Sequence, residues 1–166
     1  MRIVELMELV SVLAEKRANG ARIGLVCGCF DILHLGHIEL FRYARRHVDI
    51  LVVGMDTDMS IRRSKGPSRP IHDLRTRLQQ VIELRSVNYA FAMEGEITFG
   101  DSGSIDAWRK LLRTLRPDVL ITNREADQYC EEKESLASEL GIQILIQERK
   151  REFSSTRVEQ LYLESQ

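Results

Sequence analysis

Of the 166 residues, the stretch that most constrains the fold is the step from the apolar run Ile23-Gly24-Leu25-Val26-Cys27 into Gly28-Cys29-Phe30-Asp31-Ile32-Leu33-His34-Leu35-Gly36-His37. The apolar run reads as a strand, and the segment after it reads as a turn that opens a helix. Two histidines separated by Leu-Gly stand beside that helix N-terminus, where free backbone N–H groups and the helix dipole favour a phosphate. A phosphoryl transition state needs the same surroundings, positioned donors and positive charge with little covalent chemistry from the protein. Either histidine alone would read as an ordinary residue near a helix start, with Gly36 serving the turn. The whole constellation points to a nucleotide site.

The rest of the chain supplies a scaffold for such a loop. Apolar positions at Ile3, Val4, Met7, Val10 and Leu13 have helical spacing and predict a leading helix that stops at Asn19-Gly20. Strand-like runs follow at 22–27, 49–55, 89–93, 119–122 and 142–146. Helical patterns fall between them at about 36–47, 73–86, 105–115 and 127–140, with 154–164 closing the chain. Strand alternating with helix predicts an α/β fold, a Rossmann-like, doubly wound, five-stranded parallel sheet with helices on both faces. The length suits a single domain over 1–166, with a leading helix over 1–20, a core over 21–158 and a closing helix over 154–166. In open sheets of this kind the ligand lies beyond the carboxyl ends of the strands, where the strand order reverses. The loop carrying Asp31 and His34 leaves a strand at that edge.

Composition narrows the partners. A net charge of −1 with 43% hydrophobic residues excludes a disordered chain and a nucleic-acid binder relying on bulk positive charge, and 6% aromatic residues leave little for base stacking. No apolar run approaches a bilayer span and the first twenty residues carry acidic side chains, so neither membrane nor secretory signal is expected and the cytoplasm is the default. Three cysteines make no disulfide framework. Cys27 and Cys29 flank Gly28 and should point alike, but a Cys-x-Cys pair without further ligands reads as reduced, partly buried thiols rather than a zinc site.

Basic residues matter by position. Arg62, Arg63, Lys65 and Arg69 fall within a Ser/Gly/Pro-containing stretch, 62–70, that reads as a loop, and Arg75 and Arg77 open the next helix. Arg62 and Arg77 are read as solvated side chains. A second loop candidate spans 93–104. Near the other end, Phe153-Ser154-Ser155-Thr156-Arg157-Val158 reads as a helix start in which Ser154 or Ser155 caps, while exposed N–H groups and the hydroxyls of Ser155 and Thr156 could hold phosphates. Arg149, Lys150 and Arg151 add charge beside it.

The segment Gly28 to His37 resembles the Gly-x-Phe-Asp-x-x-His-x-Gly-His signature of the nucleotidylyltransferase superfamily, whose fixed positions are met by Gly28, Phe30, Asp31, His34, Gly36 and His37. Lys65-Gly66-Pro67-Ser68-Arg69-Pro70 resembles the Lys-Gly-Pro-x-Arg-Pro stretch of the adenylyltransferase domain in bacterial heptose kinase/adenylyltransferases. Arg75 is similar to a basic residue of glycerol-phosphate cytidylyltransferases, and 153–158 to the superfamily's second signature. Arg149 falls where those cytidylyltransferases carry an arginine. The resemblance implies transfer of a nucleoside monophosphate from ATP or CTP to a small phosphorylated acceptor, a sugar phosphate or glycerol 3-phosphate. In it His34, His37 and Lys65 are catalytic. Gly28, Cys29, Phe30, Asp31, Gly36, Arg149, Ser154, Ser155 and Thr156 bind the nucleotide.

Magnesium is implied by the triphosphate rather than by any carboxylate cluster. Asp31 has two readings, orienting a substrate amine or magnesium, or capping the turn before His34. The family's Gly-Gly-Asp-Tyr type segment is replaced here by Thr122-Asn123-Arg124-Glu125-Ala126-Asp127, which leaves Arg124 as a substitute acceptor contact beside Lys65 and Arg75. A catalytically silent nucleotide-binding regulator is the alternative on the same fold. Whether the chain forms a homodimer is open at this level.

Overall fold

The computed structural model describes residues 1–93 and 102–148. Within them the chain runs β1 (Arg2–Ile3), α1 (Leu6–Ala18), β2 (Ile23–Gly28), α2 (Leu35–Arg45), β3 (Ile50–Met55), α3 (Asp58–Lys65), α4 (Leu74–Ile82), β4 (Tyr89–Ala92), α5 (Ser102–Leu115), β5 (Val119–Asn123), α6 (Cys130–Leu140) and β6 (Gln143–Gln147). The strands form one parallel sheet in the order β1-β4-β3-β2-β5-β6. From β2 the chain winds outward through β3 and β4 on one side and returns to β5 and β6 on the other. The reversal falls between β2 and β5, which are paired through Gly24↔Val119 and Leu25↔Leu120.

Successive side chains of the central strands point to opposite faces, so each strand feeds two cores. Leu25, Val52 and Leu120 join Leu9, Leu13, Trp108, Leu112 and Leu136 under α1, α5 and α6. Val26, Val53 and Ile121 join Phe41, Ala44, Leu78 and Val81 under α2 and α4. This is the doubly wound arrangement expected from the alternation of strand and helix.

The sheet has six strands rather than five. Ile3 and Val4, which fit a helical period, lead instead into a short edge strand, where Val4 N–H donates to Ala90 O at 3.0 Å, and α1 begins only at Leu6. The stretch expected as a loop over 62–70 is helical up to Lys65. Thr57 caps α3 by accepting from Ser60 N–H at 3.2 Å, and the helix ends at Gly66, whose φ of +94° lies in the region that favours glycine. At their other ends α4 stops at Ile82 and α6 starts at Cys130, both shorter than their apolar patterns suggest. The expected closing helix over 154–164 lies outside the described residues. Among the described residues no helix is long and apolar enough to cross a membrane.

Candidate active site

The loop from β2 into α2 is built on its own hydrophobic residue. Phe30 takes a left-handed φ of +44° and is buried, with its ring edge-on to His37 at 5.3 Å between centroids and tilted on Phe41 at 5.0 Å. A Cβ on Gly28 would meet that ring at 3.2 Å, so glycine there lets the phenyl group fold back over the strand end. The strained residue is over-determined by packing, as expected where a loop must hold a fixed shape.

His34 is the N-cap of α2, in extended conformation, and supplies no side-chain cap; its carbonyl accepts from His37 N–H at 3.0 Å and Ile38 N–H at 3.3 Å. Three residues apart on a helix start, the two imidazoles share one side and stack at 3.7 Å with an interplanar angle of 23°. Two ring donors therefore stand together beside the helix's first amides, at the carboxyl edge of the sheet. Free amides and ring nitrogens at a helix start are groups that can hold an anion.

Asp31 is buried, and its carboxylate accepts Ile71 N–H and His72 N–H, each at 2.9 Å, and pairs with Arg69 Nη1 at 3.3 Å. It ties the 69–72 segment to the motif loop. These bonds run across the loop, from the motif to the segment before α4.

Arg77 corrects the sequence expectation. Read as a solvated arginine, it is 0% exposed. Its guanidinium donates to Cys29 O at 2.6 Å, Asp56 O at 2.8 Å and His72 O at 3.0 Å, and pairs with Asp58 Oδ1 at 2.7 Å. One side chain thus ties together the motif loop, the end of β3, the start of α3 and the segment before α4. Arg62 is exposed, as expected.

Lys65 is exposed at the end of α3, and its charge works against the burial that raises Asp56 and Cys29. Burial pushes the Asp56 carboxyl up to about 6 against the pull of Lys133, Lys65 and Arg77. Burial also pushes the Cys27 thiol up to about 12 and raises that of Cys29, so neither is a ready nucleophile; all three cysteines are free thiols. Arg75 is exposed on the first turn of α4. Arg124 pairs on the surface with Glu148 at 3.0 Å and Glu134 at 3.3 Å, hydrogen bonds that raise its pKa.

On the β5 side sit groups that sequence reasoning did not single out. Asn123 is buried and donates to Gln147 O at 3.1 Å while accepting Ala126 N–H at 2.9 Å. Lys133 is buried against Asp127. Arg149, Ser154, Ser155 and Thr156 lie outside the described residues. Among the described residues no three His, Cys, Asp or Glu side chains gather as metal ligands.

The chain matches the cytidylyltransferase-like family over residues 25–161. It is 34% identical over 159 residues to the bifunctional protein HldE of Desulfatibacillum aliphaticivorans, covering 95% of this chain and 30% of that protein. The HldE protein of Hyphomonas neptunium is 43% identical over 105 residues, 63% of this chain and 20% of its own length. The chain thus spans less than a third of these relatives. A lipopolysaccharide core biosynthesis protein from Thermoplasma volcanium superposes with a TM-score of 0.58 at 31% identity, covering 76% of this chain and 94% of that one. Pantoate-beta-alanine ligase from Francisella tularensis, at a TM-score of 0.67 and 17% identity over 96% of this chain and 76% of its own, shares the fold. With the histidine pair set at the helix start, the strand reversal beside it and a family match over most of its length, the chain belongs to the cytidylyltransferase-like family of nucleotidyltransferases.

Proposed function

We propose that this chain moves a nucleoside monophosphate from ATP or CTP to a small phosphorylated acceptor, a sugar phosphate or glycerol 3-phosphate, with release of pyrophosphate. The observation that carries the reading is the stacked pair His34 and His37 at the uncapped start of α2. An acceptor phosphate oxygen attacks the α-phosphorus, a new P–O bond forms, and the bond to the bridging oxygen of the β-phosphate breaks with its electrons leaving on pyrophosphate. The acceptor oxygen is anionic at neutral pH, so positioning and charge neutralisation do most of the work. The imidazoles donate to α-phosphate oxygens as charge grows there, and the α2 amides add their dipole.

Lys65 bridges phosphates of the two substrates, and Arg75 and Arg124 serve the acceptor. Gly28, Cys29, Phe30, Asp31 and Gly36 shape the nucleotide loop, in which Asp31 acts by holding Arg69 and the 71–72 amides in place. Ser154, Ser155, Thr156 and Arg149 steady the pyrophosphate end. Magnesium would arrive on the triphosphate and neutralise part of its charge, and no described carboxylate set is assigned to it.

The test is pyrophosphate release over a panel of triphosphates and phosphorylated acceptors, repeated for His34→Ala and His37→Ala. Each substitution should lower kcat by roughly a hundredfold, the range for one transition-state donor, with little change in nucleotide affinity. Wild-type protein that binds triphosphate but turns over none of the panel would favour a silent nucleotide-binding regulator.

A further inference from the structure

Lys133 leaves α6 with its side chain only 7% exposed. Its ammonium lies 2.5 Å from Asp127 Oδ2 and 5.1 Å from the centre of the Trp108 ring. The same Asp127 oxygen accepts the Thr122 hydroxyl, and Asp127 Oδ1 accepts Tyr129 N–H at 3.1 Å. Asp127 N–H in turn donates to Asn123 O at 3.1 Å. The segment between β5 and α6 is therefore folded around one carboxylate. Burial tends to raise that carboxyl, but the Lys133 charge and the bonds from Lys133, Thr122 and Tyr129 hold it below its ordinary value.

β5 is paired to β2, so this segment borders the same crevice as the motif loop, on the side away from α3. The two sides differ in charge. Lys65 and Arg69 stand on the α3 side, whereas on the β5 side, among the described residues, Arg124 is engaged by Glu134 and Glu148 and the inner groups are Asn123 and the neutralised Asp127–Lys133 pair. The triphosphate is drawn to the cationic side, and the inner β5 wall, polar but neutral, suits the nucleoside, while Arg124 lies outside that wall on the exposed rim, where the acceptor is placed. An Asp127 carboxylate without its cation would repel the nucleotide and lose the anchor of its turn.

We propose that Lys133 is a positioning residue for the nucleoside end of the substrate: seated on Trp108, it holds Asp127, and through Asp127 the 122–129 segment that forms the β5 wall of the crevice. The proposal rests on the nucleotidyl-transfer reading. A buried ion pair is a weak source of stability, since apolar side chains of similar volume often do as well, so the role assigned to this pair rests on the contacts it holds in place.

The test is calorimetric titration of wild type, Lys133→Met, Lys133→Arg and Asp127→Asn with ATP, CTP and inorganic tripolyphosphate. Lys133→Met should weaken the nucleoside triphosphate that wild type binds by about tenfold or more while tripolyphosphate changes by less than about twofold, and Lys133→Arg should recover most of the loss. Asp127→Asn, which keeps the shape and removes the charge, should show the same pattern more weakly and serves if Lys133→Met does not fold. Equal losses for nucleotide and tripolyphosphate, or no loss for either, would overturn the proposal. Wild type that binds these nucleotides without turnover defeats the transfer reading alone, and wild type that binds none defeats both.

Discussion

Replacing Arg77 by methionine removes the densest set of buried charge-assisted hydrogen bonds in the described structure. Three carbonyls, those of Cys29, Asp56 and His72, lose a donor, and Asp58 loses its ion-pair partner. A net hydrogen bond is worth about 1 kcal/mol, and stranding one partner of a fully buried pair costs roughly 3 to 5 kcal/mol. Asp58 is 24% exposed and regains water, and the methionine side chain keeps some apolar burial, so the balance falls near 3 kcal/mol. At about 2 to 4 °C per kcal/mol for a chain of this size, the midpoint should drop by roughly 6 to 12 °C. The effect on turnover should be larger than stability alone dictates, because Arg77 holds the backbone of the motif loop. A displacement of that loop by about 1 Å can cost a hundredfold in rate. Arg77→Lys should restore little, because an ammonium cannot reproduce the forked contacts. Urea unfolding paired with pyrophosphate release at a temperature where both proteins are folded reads both effects. A loss below about 1 kcal/mol with turnover within about threefold of wild type would refute the clamp.

The remaining expectations concern charge. Asp56 has a folded pKa of about 6 against an ordinary 3.8, so the folded state holds its proton more tightly and stability falls as pH rises through that window. Asp56→Asn should therefore gain up to about 3 kcal/mol over wild type at pH 7 and nothing at pH 3, and parallel denaturant midpoints at both pH values would contradict it. Arg124→Ala should raise the acceptor KM by roughly tenfold or more and leave the nucleotide KM nearly unchanged; a collapse of nucleotide affinity with an unchanged acceptor constant would move Arg124 to the nucleotide. The Ser155→Ala/Thr156→Ala variant should weaken triphosphate binding much more than monophosphate binding by calorimetry, and equal losses would make those residues simple helix caps.

Much of the candidate site's geometry was legible because its physics is local. A helix start needs only its neighbours to create free amides, and the spacing of His34 and His37 fixes which side of that start they share. The alternation of apolar runs likewise predicted every central strand. The misses came where local signals compete. Ile3 and Val4 fit a helical period and a strand equally, and only pairing with β4 decides between them. Between Arg62 and Pro70 the glycine, prolines and serines outweighed a helical signal that was present: Thr57, three residues before Ser60, is a capping arrangement, and the breakers act only from Gly66 onward. Asp31 to Arg69 joins residues far apart in sequence and had no local sign.

The buried cations did leave a trace that charge alone conceals. Arg77 stands three residues after Leu74 and four before Val81, and Lys133 stands three after Cys130 and three before Leu136, so both lie on the apolar stripe of their helices. An exposed arginine or lysine belongs on the opposite face. A cation on the inward stripe must find acceptors inside, because a buried charge without partners is too costly to keep. The acceptors nearest a helix that packs on a parallel sheet are the loops at the strand ends. Arg77 reaches the ends of β2 and β3, and Lys133 reaches the turn after β5. Exposure therefore separates two kinds of basic residue in this chain: Lys65, Arg75 and Arg124 keep side chains in solvent, open to a substrate, while Arg77 and Lys133, on the inward stripe of their helices, hold the loops at the strand ends.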